Sequence, residues 1–328
     1  MDDLNGTIDP RCLAGPPLAM DVIGQLDMFG IALYAILTFM ASVSLVLYLD
    51  ECLYVYKNVP YPKKTTIIWV SGAAPVIATM SCLGMWIPRS TMFTDMTSNS
   101  YFAIVIYKFL ILLLEECGGD EVFLRSSAKV MFRISTGPCC CCCPCLPRVP
   151  ITRRMLFLMK LGSLQYAIMK TVFSVFCIAL WTNGIFDPTN LTVKGPTLWI
   201  SLFVGVLTII SLWPVGIMFM HIWKTIPDII PKYAMYQLVL VLSQLQSAII
   251  NILSLNGKIA CSPPFSSTAR GFMLSQQLMI MEMFIITLVT RTLYKHPYEP
   301  VKLVRCESEN NLDAKLSLKP ALNEEHAA

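Results

Sequence analysis

Long apolar runs alternate with short polar segments along most of this chain. Seven of these runs reach the roughly 20 residues that a helix needs to cross a bilayer core about 30 Å thick. They lie at residues 26–49, 67–87, 98–116, 156–181, 197–220, 234–255 and 272–294. A backbone in lipid must satisfy its own hydrogen bonds, and the runs lack the short alternating pattern of barrel strands. The sequence therefore predicts an all-α membrane protein, a bundle of seven transmembrane helices.

Composition agrees with this pattern. Of the 328 residues, 55% are hydrophobic and only 14% are charged, whereas soluble domains carry about 25% charged residues. Residues 1–25 lack the basic segment followed by an apolar segment that marks a cleaved signal peptide. We expect the first transmembrane helix to act as the insertion signal.

The distribution of basic residues predicts the orientation of the bundle. Sixteen of the 25 lysines and arginines lie in the loops and tail on one side, and five lie on the other side. The richer set comprises residues 50–66, 117–155, 221–233 and 295–328. Positive charge accumulates on the cytoplasmic side, so we expect an extracellular N-terminus and a cytoplasmic C-terminus. Cytoplasmic Lys and Arg facing anionic lipid also explain the net charge of +4 without a nucleic-acid partner.

This topology divides the chain into three parts. Residues 1–25 form an extracellular arm, residues 26–294 the seven-span domain, and residues 295–328 a cytoplasmic tail whose composition predicts disorder. Glycosylation sequons at Asn5 and Asn190 both fall on the predicted outer face.

Cysteines are concentrated in residues 136–148 of the predicted cytoplasmic loop 117–155, a stretch that holds six of the 13. They are Cys139, Cys140, Cys141, Cys142, Cys143 and Cys145. Disulfides are disfavoured in the cytosol, and five adjacent cysteines do not match a zinc finger. Juxtamembrane cysteines favour S-acylation, and each buried methylene of an acyl chain adds about 0.8 kcal/mol of membrane affinity. We expect S-acylation here; a metal site, or thiols without a role, are the alternatives. Cys12 and Cys261, both on the predicted outer face, are candidates for a disulfide.

Ionisable side chains within the predicted spans are costly to bury, and seven of them are candidate functional residues. They are Lys108, Glu115, Glu116, Lys160, Lys170, Glu282 and Arg291. Several lie near helix ends, from which long side chains reach the interface. Lys108 and Glu115 are seven residues apart, which places them on nearly the same helix face.

The sixth predicted span carries a repeated polar pattern. Gln237, Gln244 and Asn251 recur every seven residues and form one stripe, whereas Gln246 lies on the opposite side of an ideal helix. A single amide within a span commonly bonds to a neighbouring helix. Three amides on one face are as consistent with the lining of a groove, and both interpretations stay open.

No motif for catalysis or cofactor binding accompanies these features. The sequence has no Gly-rich phosphate loop, no histidine cluster and no Ser/His/Asp constellation. We expect no enzyme activity, no cofactor and no metal. No internal repeat indicates an inverted-repeat transporter.

Five segments together resemble one family. They are 86–90 (WIPRS), 114–125 (LEECGGDEVFLR), 136–148 (TGPCCCCCPCLPR), 165–170 (QYAIMK) and 256–267 (NGKIACSPPFSS). This set is similar to the alpha subunits of the organic solute transporter, over nearly the whole stretch from about residue 26 to 295. The cysteine run and the IACSPP segment are the specific parts of the similarity.

The resemblance implies a function that the residues alone do not specify. It implies facilitated, sodium-independent transport of bile acids, conjugated steroids and related organic anions. It implies the basolateral plasma membrane, with the endoplasmic reticulum as a second location, and an obligatory single-span beta subunit; higher oligomers are left open. Polar positions that match the family are Glu115, Gln165, Lys170, Gln246, Glu282 and Arg291, whereas Lys108, Lys160 and Gln244 do not match.

A carrier for amphipathic anions does not need a closed aqueous cage. We expect a groove open to lipid, in which the amides of span six and a base such as Lys170 receive the polar end of the solute. The candidate substrate-binding residues are Glu115, Gln165, Lys170, Gln237, Gln244, Gln246, Asn251 and Glu282. The alternative is a seven-span sterol-responsive receptor, although the chain lacks the Asp/Glu-Arg-Tyr and Asn-Pro-x-x-Tyr motifs of the common receptor class. A scaffold whose partner does the transport is a third interpretation.

The cysteine loop generates the first prediction. Peptides that contain residues 139–145 should carry a mass increment of one or more acyl chains, because juxtamembrane thiols in the cytosol are substrates for S-acylation. Hydroxylamine cleaves thioesters and should remove the increment, whereas neutral Tris should not. Unmodified peptides in both treatments would contradict the assignment.

Overall fold

Helices make up nearly all of the chain that the computed structural model describes, which is residues 17–127, 131–133, 148–184, 196–223, 226, 228–256, 258–260 and 266–295. In chain order the helices are α1 (Ala19–Gly24), α2 (Met28–Asn58), α3 (Lys63–Ser71), α4 (Ala73–Trp86), α5 (Thr91–Glu116), α6 (Asp120–Ser127), α7 (Arg153–Thr182), α8 (Pro196–Ile222), α9 (Ile229–Val241), α10 (Ser247–Leu255) and α11 (Ser267–Tyr294). A 3-10 turn, Pro88–Ser90, precedes α5, and a π-helix, Leu242–Gln246, joins α9 to α10. One short antiparallel pair, β1 (Met131–Arg133) and β2 (Arg148–Pro150), completes the described structure.

Seven helical segments of the described residues are long and apolar enough to cross a membrane, which confirms the predicted seven-helix fold. Spans one to seven are Met28–Asn58, Lys63–Trp86, Pro88–Glu116, Arg153–Thr182, Leu198–Ile222, Ile229–Ser254 and Ser267–Tyr294. Two predicted spans were too short. Span one continues beyond residue 49 to Asn58, and span three begins at Pro88 rather than at residue 98. In both cases the helix continues through polar residues whose partners lie on other spans, and an apolar run does not reveal such partners.

The spans meet at two ends of the bundle. At the first, called here the Glu116 end, the last turn of span three contacts the first turns of spans two and six through Lys63 and Lys232. At the second, called the Arg270 end, the close of span six bonds to the start of span seven through Ser254 and Ser267. Which end faces the cytoplasm stays a prediction.

Two groups of buried side chains hold the spans together. Spans one, two and seven share an apolar cluster that includes Leu37, Met85 and Ile280, each completely buried. Spans three and six share an aromatic contact, in which the rings of Phe109 and Tyr236 stack with centroids 4.3 Å apart. Span two is the most enclosed, with 67% of its most apolar window buried, against 17% for span six. Span six therefore lies at the periphery of the bundle.

Span two is broken near its middle, at Gly72 between α3 and α4. Pro75 follows and has no backbone N–H to donate to the preceding turn. Hydroxyl groups of neighbouring spans bond to carbonyls at this break: Tyr48 Oη donates to the carbonyl of Ile68 at 3.0 Å, and Tyr101 Oη donates to that of Trp69 at 3.1 Å. The break is thereby satisfied inside the protein, as lipid requires.

The close approach at Gly72 predicts a strong effect of an added methyl group. In Gly72→Ala the new Cβ would clash with Tyr101 Oη and would lie 2.7 Å from Tyr48 Oη. We expect the free energy of unfolding to fall by about 1–3 kcal/mol, as for other overpacked sites. The measurement is thermal unfolding of the purified protein in detergent.

Gly205→Ala is the matched control, because a Cβ there meets no atom within 4 Å. Alanine favours helix over glycine by about 0.5–1 kcal/mol, so the control should unfold at the same or a slightly higher temperature. Equal losses in the two variants would show that Gly72 is not a site of close packing.

Candidate functional site

A polar cavity of about 230 Å³ lies between spans two, three, six and seven. Its wall carries five serine hydroxyls, the side-chain amides of Asn99, Gln244, Asn251 and Gln276, and one carboxylate, Asp95. No described Lys or Arg side chain lines it. The cavity can therefore donate and accept hydrogen bonds, and the ionisable side chain among its described lining residues is an acid, Asp95.

Hydrogen bonds between spans fix the wall of the polar cavity. Gln276 Nε2 donates to Asp95 Oδ1 at 2.7 Å, which joins span seven to span three. Gln244 Nε2 donates to Asn99 Oδ1 at 2.8 Å, which joins span six to span three. Gln276 is 5% exposed, so its bond to Asp95 satisfies a group that would be costly to bury alone.

The π-helix Leu242–Gln246 changes the predicted polar stripe of span six. Gln244 and Asn251 line the polar cavity, but Gln237 does not. Gln246 instead lies near Glu282 of span seven. Neither Gln246 Nε2 nor Glu282 Oε2 has a hydrogen-bond partner among the described residues. Short π-helices occur frequently at functional sites.

The other predicted substrate-binding residues lie elsewhere. Lys170 is half-buried in α7 and has no carboxylate partner within the described residues, and Gln165 on the same helix is exposed. Glu115 lies at the Glu116 end, where it accepts a bond from Thr66 at 3.2 Å. Lys108 interacts electrostatically with Glu115, as their shared helix face predicts. The eight predicted residues therefore do not form one site.

Sequence reasoning missed Asp95, Asn99 and Gln276. The predicted third span began at residue 98, which assigned Asp95 to a loop. A signal was present, because Asp95, Ser98 and Asn99 follow the i, i+3, i+4 spacing of one helix face. Gln276 lies in the predicted seventh span as an uncharged residue, which a search for ionisable groups does not select.

A buried ion-pair cluster joins four spans at the Glu116 end. Glu116, whose side chain is 10% exposed, accepts bonds from Lys63 at 2.6 Å and from Lys232 at 2.9 Å. Lys232 Nζ also lies 5.5 Å from the ring centroid of Tyr294 on span seven. Nearby, Arg291 pairs with Asp50 at 2.6 Å. These contacts hold spans two, three, six and seven together.

Cys117 follows Glu116 and lies just outside the spans. Burial, and then the negative charge of Glu116, raise the pKa of its thiol to about 12. Since the thiolate is the nucleophile, Cys117 is a poor acceptor for acylation. The predicted modification sites lie outside the described residues: Cys139, Cys140, Cys141, Cys142, Cys143 and Cys145 for acylation, Asn5 and Asn190 for glycosylation, and Cys12 and Cys261 for a disulfide. In the part of the chain that the structure describes, no three His, Cys, Asp or Glu side chains could hold a metal ion.

The family model of the organic solute transporter Ostalpha matches residues 33–301. The chain belongs to the Ostalpha family. Relatives named organic solute transporter subunit alpha include that of Danio rerio, 65% identical over 92% of this chain and 93% of the relative. Those of Leucoraja erinaceus and Homo sapiens are 40% and 36% identical, over 88% and 89% of this chain and 83% and 86% of their own lengths. No solved structure matches the chain.

The buried cluster of this Ostalpha family member generates a prediction for stability. Glu116→Ala removes the carboxylate that two buried lysines share, and breaking a buried pair in this way costs about 3–5 kcal/mol. We expect a large drop in the thermal unfolding temperature. Replacing the cluster as a whole (Lys63→Met, Glu116→Leu, Lys232→Met) should recover most of the loss, since apolar residues of similar volume substitute well for buried ion pairs.

Glu121→Ala serves as the control, because Glu121 pairs with Arg153 at an exposed position. Exposed pairs contribute less than about 1 kcal/mol, so this variant should unfold close to the wild type. A Glu116→Ala protein that unfolds at the same temperature as the control would contradict the role assigned to the cluster.

Proposed function

We propose that this Ostalpha family member is the alpha subunit of a heteromer that transports bile acids, conjugated steroids and related organic anions. Transport is facilitated and sodium-independent, so net flux follows the solute gradient. Family membership over residues 33–301 carries the proposal. The words "subunit alpha" in the names of the relatives support a partner chain, for which we propose a single-span beta subunit. The proposed location is the basolateral plasma membrane.

The polar cavity suits the hydroxyl groups of such solutes rather than their anionic end. A bile acid combines a rigid apolar body, hydroxyl groups and an acidic tail. Asp95 can accept a bond from a hydroxyl group, and Asn251 can donate or accept one. A carboxylate would instead repel an anionic tail. The substrate-binding role of Gln244 and Asn251, proposed from the sequence, is retained here for the hydroxylated face.

The size of the polar cavity supports a groove rather than an enclosed pocket. Sites for small molecules usually have volumes of about 300–1,000 Å³, and this cavity holds about 230 Å³. Only part of a sterol can enter it. Span six, which forms one wall, is the least buried span, with 17% of its most apolar window buried. We propose that the apolar body of the solute stays against span six and the adjacent lipid.

The anionic end of the solute needs a cationic side chain, and Lys170 remains the residue proposed for this role. It lies on the face of α7 that includes buried Ser174, whose Oγ accepts a bond from Ser100 Oγ at 3.0 Å. Asn99, the residue before Ser100, lines the polar cavity, whereas Ser100 does not. Lys170 is therefore one helical turn from a contact between its span and span three, which also supplies a wall of the cavity.

Uptake measurements test the function and the site together. Cells that express this chain with a beta subunit should accumulate radiolabelled taurocholate and estrone sulfate, and cells that express either chain alone should not. Asn251→Leu should reduce uptake at equal surface expression about fivefold, the effect of losing one hydrogen bond worth about 1 kcal/mol. Gln237→Leu is the control, because Gln237 is on the same helix but outside the polar cavity.

Three results would count against this proposal. Normal uptake by Lys170→Ala or Asn251→Leu variants at the cell surface would remove those residues from the site. Stimulated nucleotide exchange by a sterol without flux would indicate a receptor. Uptake that persists with the beta subunit alone would indicate that this chain is a scaffold.

A further inference from the structure

A second cavity, of about 580 Å³, lies at the Arg270 end between span one, span seven and the loop that joins spans six and seven. We call it the cationic cleft. Its apolar wall is formed by Leu26, Leu33, Tyr34, Met273 and Leu274, and its polar rim by Lys258, Arg270 and Gln277. It lies on the face of span seven that carries Met273 and Gln277, whereas the polar cavity uses the face that carries Ser275 and Gln276. The two cavities are therefore separated by the helix.

Neither cation at the rim has an anionic partner in the part of the chain that the structure describes. Lys258 and Arg270 are exposed, and neither forms an ion pair with a carboxylate of the described residues. Asp27 follows Leu26 in the sequence but does not line the cleft. The rim therefore has two positive charges beside an apolar wall, which is complementary to an amphipathic anion.

Local hydrogen bonds hold the guanidinium of Arg270 and the backbone that carries Lys258. Arg270 Nη1 donates to the carbonyl of Ala260 at 3.0 Å, which orients the guanidinium toward the loop. The backbone N–H of Lys258 bonds to the carbonyl of Leu253 at 3.0 Å. Between these two points, Ser267 Oγ donates to the carbonyl of Ile259 at 2.7 Å. Each residue from 258 to 260 is thus tied to a transmembrane helix, so the rim is built before a ligand arrives.

Packing also fixes the apolar wall. Tyr34 is 4% exposed and contacts Trp86 edge to face, with ring centroids 5.4 Å apart. Met273, on span seven across the cleft from Tyr34, is 6% exposed. At Gly30 the side chain of Leu26 occupies the space that a Cβ would need, 2.6 Å away at Cδ2, so Leu26 packs directly on the backbone of span one. The surface that a rigid hydrocarbon body meets is that of the partly exposed wall residues, such as Leu33 and Leu274.

We propose that the cationic cleft binds one amphipathic organic anion, with its rigid apolar body along Leu33 and Leu274, beside buried Tyr34 and Met273, and its sulfonate, sulfate or carboxylate between Lys258 and Arg270. The volume of 580 Å³ is within the range of about 300–1,000 Å³ for small-molecule sites. The ligand class rests on the proposed function, but binding at this cleft can be measured without transport. Free solute and lipid headgroups share the anionic chemistry, and the experiment separates them.

Photolabelling tests the cleft directly. The probe is a tritiated sterol 3-sulfate with a diazirine on the ring system, added to the full-length chain in phosphatidylcholine nanodiscs. Mass spectrometry should locate the label on peptides that contain Tyr34 and Met273 or Leu274. The double variant Lys258→Gln/Arg270→Gln should reduce this labelling at least tenfold at subsaturating probe. Lys57→Gln/Lys64→Gln removes the same charge at the Glu116 end and should leave labelling unchanged.

Two further arms decide the identity of the ligand. The uncharged parent sterol with the same diazirine should label the cleft weakly and equally in all variants, because it lacks the group that the cations recognise. Phosphatidylserine in the nanodisc at 20 mol% should not compete, whereas excess unlabelled sterol sulfate should. Equal labelling by the sulfate in the wild type and the Lys258/Arg270 variant overturns the proposal. Competition by phosphatidylserine as strong as by the free sulfate also overturns it, because the occupant is then a lipid headgroup.

Parallel uptake assays keep this proposal distinct from the transport function. Lost labelling with retained uptake in the Lys258/Arg270 variant would support an anion site outside the transport route. Normal labelling of the wild type in a protein that moves no solute would remove the proposed function and leave the cleft standing.

Discussion

In hydrocarbon a backbone or side-chain polar group finds no water, so each must bond to another part of the protein. The interior of this bundle follows from that constraint. Where span two breaks at Gly72, Tyr101 of span three supplies a partner for the carbonyl of Trp69, and Tyr48 of span one adds a second bond to the carbonyl of Ile68. Where Glu116 is buried, two lysines from spans two and six surround it. Contacts of this kind determine which helices are neighbours, because apolar surface alone packs as well against lipid as against protein.

The Glu116 end and the polar cavity satisfy this constraint differently. At the Glu116 end, opposite charges neutralise one another and the helices are joined by strong contacts. Around the polar cavity, neutral amides and hydroxyls bond to each other, as Gln244 does to Asn99. Neutral hydrogen bonds exchange for bonds to a ligand at little net cost, whereas a buried ion pair cannot release one partner cheaply. The polar cavity is therefore the better place for a solute that must bind and leave.

Much of the fold could be predicted from the sequence, since seven apolar runs and the need for internal hydrogen bonds leave little choice. The ends of the spans could not be predicted, because polar residues such as Asp95 continue a transmembrane helix only when another span supplies a partner. The predicted stripe of Gln237, Gln244 and Asn251 presumes a regular α-helix, whereas a π-helix lies between Gln237 and Asn251. Lys258 and Arg270 were predicted to lie in a loop. Their position in the same cavity wall as Tyr34 of span one depends on tertiary structure.

The π-helix has a consequence for how span six tolerates change. A single π-turn holds one residue more than an α-turn, so deleting one residue from Leu242–Gln246 would convert this segment to an α-turn and leave the helices on either side close to their present orientation. Asn251 would then keep its place in the wall that it shares with Asp95, whereas Gln244 and Gln246, within the segment, would be redirected. A single-residue deletion is therefore tolerated better here than in the regular parts of the span, where it would rotate all later residues by about 100°.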